Sequence, residues 1–221
     1  MLKTNYRRVL KLIPLNVKLI TVSKFKPVED IMTLYSLGQR DFGENRVQEF
    51  LEKFEILPID IRWHFIGTLQ TNKVKYLVNK TYLIHSLNSL PLAKEIEKCF
   101  SKLNSIAQVL IQINIGKDHN KSGISTENIY EFIQELALYP HIKVLGFMTI
   151  LPIVDIASTV ILYKEMKSLY ERYRALQSEG KLPSNINISE LSMGMSDDFV
   201  EALENGATMV RVGSKIFGQR N

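Results

Sequence analysis

The chain contains a single cysteine, Cys99, and it sits in a helical pattern. A disulfide framework and a thiolate metal cluster are both excluded, and a reducing cytoplasm is the expected setting. No apolar run reaches the length needed to span a bilayer, so no membrane partner is expected. The opening stretch, M-L-K-T-N-Y-R-R-V-L-K-L-I-P, breaks its apolar residues with charge. It reads as a short amphipathic helix rather than a signal peptide. The net charge of +5 is spread along the chain and forms no basic arm, so nucleic acid is not an expected partner. The four histidines include no His-x-His or His-x-x-x-His pair, which speaks against a metal site. A Gly-rich dinucleotide turn is also missing: after the first strand-like run the chain holds S-K-F-K-P.

What is present is a regular alternation. The 221 residues are 45% hydrophobic and 23% charged, enough for a sizeable core. Strand-like runs occur at 17–24, 40–43, 61–67, 81–86, 106–115, 142–150, 186–191 and 208–212. Helical patterns fall between and after them, at 28–37, 47–54, 73–78, 90–103, 126–138, 158–178, 198–204 and from 214. In the longest pattern, at 158–178, Leu162, Met166, Leu169, Tyr173 and Leu176 are expected to face inward. Val28, Ile31, Met32 and Tyr35 share one side of the helix at 28–37, which Gly38 ends. Ser125 or Thr126 is a ready N-cap for the helix at 126–138. Eight strand–helix units without a hairpin signal predict a parallel sheet with helical crossovers. Eight units suggest closure into a (β/α)8 TIM barrel, one domain over 1–221 preceded by a short extra helix. A doubly wound open sheet is the competing arrangement.

In a barrel, chemistry belongs at the C-terminal ends of the strands. Lys24 ends the first strand, V-K-L-I-T-V-S-K, just before Pro27 opens a helix. A partly desolvated lysine there gives up its proton more easily and becomes a nucleophile towards an aldehyde. The plain alternative is a strand-end lysine that meets water. Arg211-Val212-Gly213-Ser214 at the last strand, with S-M-G-M-S at 192–196 on the neighbouring loop, suits a phosphate; ordinary loop glycines are the alternative. Arg211 either points at the barrel mouth or pairs with a carboxylate. Its guanidinium does not deprotonate, so facing a ring nitrogen it keeps that nitrogen unprotonated. His64 and His85 end neighbouring strands with few carboxylates near in sequence and read as structural. His119 and His141 read as loop residues, and Asp197 and Asp198 as the N-cap and first-turn acid of the seventh helix.

Longer blocks go further. V-S-K at 22–24, F-G-E-N at 42–45, V-Q-E at 47–49, W-H-F-I-G-T-L-Q-T-N-K-V-K at 63–75 and I-H-S at 84–86 stand together with K-S-G at 121–123. G-F-M-T at 146–149, L-S-M-G-M-S-D-D-F at 191–199 and V-R-V-G-S-K-I-F-G at 210–218 complete the set. From about residue 17 onward the chain resembles the pyridoxal phosphate homeostasis proteins, the YggS/PROSC type. That resemblance implies a barrel similar to the N-terminal domain of alanine racemase. It implies that Lys24 forms the internal aldimine with pyridoxal 5′-phosphate, that Ser196, Gly213 and Ser214 surround the phosphate, and that Arg211 faces the pyridine nitrogen. Asn45 and His85 match polar residues of the pocket wall. Lys121 matches a rim lysine thought to handle the cofactor.

The departures are small. The leading region is shorter than the family's, which leaves open how the barrel floor closes. Arg46 stands where a tyrosine is usual, Asn88 where an aspartate is common, and Lys215 where a small residue lies near the phosphate. A barrel shared with racemases does not make a racemase. In those enzymes a tyrosine from a C-terminal domain serves the second face, and this chain ends at Asn221. The resemblance therefore implies a protein that binds, buffers and delivers the cofactor with little or no turnover. Apo forms of cofactor-dependent enzymes are its expected partners, and a monomer or weak dimer its state. A small racemase, or a barrel for another phosphorylated compound, are the alternative readings.

Overall fold

Residues rich in Val, Ile, Leu and Phe repeat in short blocks because each block becomes a strand buried on both sides. The structure is a computed structural model that describes residues 1–117 and 122–218; Lys121 and His119 lie outside the described residues. Eight parallel strands, β1 (Lys18–Val22), β2 (Asp41–Glu44), β3 (Arg62–Phe65), β4 (Leu83–Leu87), β5 (Ala107–Ile113), β6 (Ile142–Thr149), β7 (Ile186–Ser192) and β8 (Met209–Val212), form a closed barrel in chain order. Closure is made by β1 against β8, with Lys18 opposite Met209 and Thr21 opposite Val212. The open sheet is thereby ruled out.

Helices α1 (Leu2–Leu12), α2 (Val28–Tyr35), α3 (Val47–Ile56), α4 (Leu90–Ser101), α5 (Ile129–Leu136), α6 (Ile156–Ser178), α7 (Phe199–Glu204) and α8 (Ser214–Phe217) surround it. The crossover between β3 and β4 is a short 3-10 helix, Thr71–Tyr76, where a brief helix is expected at 73–78. Most apolar side chains lie in one layer between strands and helices, where Trp63 packs against Phe42 and Phe50 at 6.1 and 5.9 Å between ring centroids. A second, small apolar plug of Ile20, Leu83, Leu110, Met148 and Met209 fills part of the interior. The extra helix α1 is tied in by Tyr6, whose hydroxyl donates to Gln39 Oε1 at 3.1 Å, while Gln39 Nε2 donates to the carbonyl of Leu19 at 2.8 Å. Asn5 Nδ2 reaches the carbonyl of Ile216 at 3.3 Å, so α1 covers the ground that the one-turn α8 leaves bare.

Several helix faces differ from the spacing argument. On α2 the buried pair is Ile31 and Leu34, and Met32 is exposed. On α6 the deepest side chains are Thr159, Tyr163, Met166, Tyr170 and Tyr173, with Leu162, Leu169 and Leu176 flanking them. Tyrosine can take the inner line because its hydroxyl finds a partner, as Tyr170 does on the carbonyl of Ser189 at 2.9 Å. The same helix begins earlier than expected, capped by Asp155, whose carboxylate accepts from Ser158 N at 2.9 Å. Ser125 opens a 3-10 turn ahead of α5, and its hydroxyl makes no capping bond.

Candidate functional site

β1 delivers Lys24 to the mouth of the barrel through a tight turn. Ser23 N donates to the carbonyl of Gly43 at 3.0 Å, and Lys26 N donates back to the carbonyl of Ser23 at 3.0 Å. Phe25, between them, has a φ of 62°, a left-handed conformation that costs free energy unless its surroundings hold it. Its N–H is held by the Glu49 carboxylate on α3. Beneath the turn lies the buried ammonium of Lys53, which donates to Glu44 Oε1 at 2.8 Å and Glu49 Oε1 at 2.7 Å. Ser23 Oγ donates to Glu44 Oε1 at 2.6 Å. Burial, opposed by Lys53, leaves the Glu44 carboxyl raised above its ordinary pKa.

Lys24, Asn45, Ser196, Arg211, Gly213 and Ser214 line one cavity of about 460 Å³ at the C-terminal ends of the strands. Val22, Ile66, Ile150 and Met195 supply apolar wall. A larger hollow of about 640 Å³, around Ile106, Pro140, Ile142 and Asn185, opens at the opposite end of the barrel, away from these groups. At the mouth, Gly213 N donates to Ser196 Oγ at 3.1 Å, joining the two loops proposed from sequence as a phosphate cradle. Backbone bonding in α8 starts at Ile216 N, which donates to the carbonyl of Gly213 at 2.9 Å; the N–H groups of Ser214 and Lys215 precede it. The loop at 192–196 is shaped by Gly194, with φ of 89° and room for no side chain: a Cβ there would stand 2.5 Å from that of Ala202. Asp198 holds the same loop by accepting from Met195 N at 2.6 Å. It is the N-cap residue of α7, yet its carboxylate makes no capping bond and is spent on the loop and on Tyr163, whose hydroxyl burial pushes far up in pKa.

Arg211 is 3% exposed. It points into the barrel, where Nη1 donates to Ser192 Oγ at 2.6 Å and Nη2 to the carbonyl of Thr149 at 2.8 Å. Among the described residues no carboxylate contacts it, and burial lowers its pKa to about 10, which still leaves it a cation at neutral pH. His85 lies one layer below the cavity, its Nδ1 3.0 Å from Ser192 Oγ. Asn45 stands at the rim with its Oδ1 buried and unpartnered. Lys215 turns away from the cradle, its ammonium 5.2 Å from the centre of the Phe199 ring. Arg46 stacks its guanidinium 4.8 Å from the Phe25 ring.

Spacing alone leaves Asp41, Lys53 and Glu49 unmarked. His64 has a carboxylate neighbour after all, with Nε2 3.0 Å from Asp41 Oδ1 across the β2–β3 pairing. Asp41 also accepts from Arg62 at 2.8 and 2.6 Å. Lys53 and Glu49 carry no assigned role in the sequence, although their i,i+4 spacing and the block F-G-E-N-R-V-Q-E could have marked the cluster. Strand parity was the usable signal for Asp41, because Asp41, Gly43 and Asn45 alternate onto one face. Among the described residues no group of three or more His, Cys, Asp or Glu is placed to hold a metal. No helix of the described residues is long and apolar enough to cross a membrane.

Comparison with known proteins agrees with this geometry. The alanine racemase N-terminal domain family matches residues 1–221. A pyridoxal phosphate homeostasis protein of Aquifex aeolicus is 46% identical over 92% of this chain and 87% of its own length. One of Synechocystis is 38% identical over 97% of both. The solved structure of PipY from Synechococcus elongatus without PLP superposes with a TM-score of 0.89, at 33% identity, over 99% of this chain and all of that one. The same protein solved with PLP bound gives 0.86 at 32% identity. An alanine racemase of Clostridium difficile, 17% identical, shares the fold with a TM-score of 0.79 over 59% of its length. The chain belongs to the pyridoxal phosphate homeostasis family of the YggS/PROSC type, built on the barrel of the alanine racemase N-terminal domain.

Proposed function

We propose that this chain binds pyridoxal 5′-phosphate covalently through Lys24 and serves to hold and exchange the cofactor rather than to turn over an amino acid. One observation carries the reading: an amine, a buried guanidinium and a hydroxyl–amide cradle share one cavity at the mouth of the barrel. The donor set fits the group. Ser196, Gly213 and Ser214 supply hydroxyls and N–H groups for a phosphate, and the buried Arg211 cation suits an anionic ligand. Asn45 Oδ1, buried without a partner, is an acceptor awaiting a donor. When bound, the cofactor supplies an aldehyde that joins an amine through a carbon–nitrogen double bond with loss of water. Lys24 Nζ is the amine, and the turn at Ser23–Lys26 aims it. Arg211, a cation with donors only, would hold the ring of the bound cofactor and keep a nitrogen facing it unprotonated, which would weaken that ring as an electron sink.

Racemisation needs a proton carrier on each face of the bound substrate. Among the described residues lining the cavity, the titratable groups besides Lys24 and Arg211 are Lys26 and Asp197, both near the rim. That composition suits storage and exchange better than catalysis. On this reading the recipients are apo forms of enzymes that use the same cofactor, and the chain works in the cytoplasm as a monomer or weak dimer.

The experiment is an absorbance spectrum of the protein incubated with pyridoxal 5′-phosphate, before and after borohydride, followed by peptide mapping. A visible band that bleaches and leaves pyridoxyl on Lys24 is expected, with Lys24→Ala showing neither. A wild-type protein that stays colourless, or a label on another lysine, would overturn the covalent reading. Loss of an α-proton from added amino acids at an enzymic rate would favour the racemase instead.

A further inference from the structure

Below the cavity the barrel interior carries a continuous line of polar side chains where aliphatic layers are usual. It starts at the floor with Asp41, the first residue of β2, and ends at Arg211 on β8. His64 Nε2 lies 3.0 Å from Asp41 Oδ1, and His64 Nδ1 lies 2.9 Å from His85 Nε2. His85 Nδ1 is 3.0 Å from Ser192 Oγ, the atom that accepts from Arg211 Nη1 at 2.6 Å. All three links between the two ends are buried, with His64, His85 and Ser192 no more than 1% exposed.

Hydrogen bookkeeping allows one assignment. The ionised Asp41 only accepts, so His64 carries its proton on Nε2. A neutral His64 then offers the Nδ1 lone pair, and His85 must donate to it from Nε2. His85 in turn has its lone pair on Nδ1, so the Ser192 hydroxyl donates there. The oxygen of Ser192 is left to accept from Arg211, which has donors only. Both imidazoles are neutral because burial holds their pKa values down. The charged groups facing them are Asp41 and Arg62 from β2 and β3, Lys18 from β1 and Arg211 from β8.

We propose that Asp41, His64, His85 and Ser192 are positioning residues for Arg211: their one-way chain of donors, anchored on the Asp41 carboxylate, presents the Ser192 oxygen to the guanidinium and sets its orientation towards the cofactor ring nitrogen. The last part rests on the reading that the cavity holds pyridoxal 5′-phosphate with that nitrogen towards Arg211. Without Ser192 the guanidinium keeps a single described anchor, the carbonyl of Thr149, and can swing. The partly exposed guanidinium of Arg62, paired with the buried Asp41 carboxylate at 2.6 Å, closes the far end and is available as a control.

The test has a cofactor-free and a loaded arm, both on the full chain. In the cofactor-free protein, NMR of the histidine ring nitrogens near neutral pH is expected to show His64 and His85 as neutral Nε2–H tautomers. The Arg211 guanidinium is expected to give resolved, slowly exchanging signals that Ser192→Ala broadens and Ser192→Thr retains. A charged imidazole, an Nδ1–H tautomer at His85, or Arg211 signals untouched by Ser192→Ala overturns the proposal. In the loaded protein, Ser192→Ala and Asp41→Asn are expected to move the pH midpoint of the visible band by about one unit or more, with Ser192→Thr and Arg62→Gln near wild type. Variants that load normally and keep the wild-type midpoint also overturn it. A wild-type protein that takes up no cofactor defeats the reading of the cavity alone, because the cofactor-free arm still decides the chain. Should Asp41→Asn fail to fold, Ser192→Ala, which removes one oxygen, carries the test.

Discussion

Lys53 Nζ sits 2.8 Å from the carbonyl oxygen of Ser23, the residue immediately before Lys24. The same ammonium bonds Glu44 at the end of β2 and Glu49 one turn back on α3. Strand, neighbouring strand and crossover helix are thus tied at one buried point under the turn that presents Lys24. Such a cluster costs desolvation, and it holds only while every member is present.

Removing the ammonium alone should therefore be severe. Lys53→Met strands the Glu44 carboxylate in the interior and is expected to lower stability by about 3–5 kcal/mol, read from the urea midpoint. Pairing it with Glu44→Gln should recover most of that loss. Glu44 is raised in the folded protein, so its burial penalty is absent in acid and appears as pH rises through the folded value. The Lys53→Met defect should accordingly shrink at low pH. A loss below about 1 kcal/mol at neutral pH would show that the cluster is not a clamp.

Asp41 behaves in the opposite sense. Burial alone would raise it, but hydrogen bonds from Arg62 and His64 prevail and bring it from 3.8 to about 2. A lowered folded pKa gives stability that is present above 3.8 and is lost as pH falls towards about 2. Asp41→Asn keeps the shape and an acceptor for His64, and should cost about 2 kcal/mol at neutral pH while flattening the acid limb of the stability curve. An unchanged acid limb would count against the pairing.

The cradle can be weakened at one atom. Ser196→Ala removes the hydroxyl that accepts from Gly213 N and lines the cavity. Cofactor affinity should fall by about tenfold, measured by absorbance titration, with little change in the unfolding midpoint. Equal affinity would place the phosphate elsewhere in the cavity.

Gly67 allows the end of β3 to approach the loop that carries Asn45. A Cβ at Gly67 would stand 2.2 Å from the carbonyl oxygen of Asn45, so backbone must move to admit it. Gly67→Ala is expected to lower the thermal midpoint and weaken cofactor retention together. Normal retention in a destabilised variant would remove Asn45 from the binding wall.

Much of the barrel was legible locally. Apolar strand-like blocks and stretches of 3.6-residue period mark the strands and most of the helices, and eight alternating units suggest closure before any contact is known. Lys24, Gly213 and Arg211 were identifiable for the same reason: each stands where a strand runs out, and that boundary is written in neighbouring residues. Glycines at helix ends, such as Gly38 and Gly180 with φ of 96° and 69°, were equally plain.

Other features have no local trace. His64 and Asp41 are 23 residues apart, His85 and His64 21, and Ser192 and His85 107. Their chain exists because parallel pairing brings alternate residues of β2, β3, β4 and β7 to one interior, and the stagger of the closed barrel sets which of them meet. Periodicity describes one helix and does not mark Lys53, whose burial depends on the turn laid over it by β1. The tyrosine face of α6 and the Asp198 link to the 192–196 loop have the same origin. Strand and helix follow from interactions within a few residues, so the sequence alone determined them. Which polar groups lose their water together is decided by packing between distant segments, and only the tertiary structure decided that.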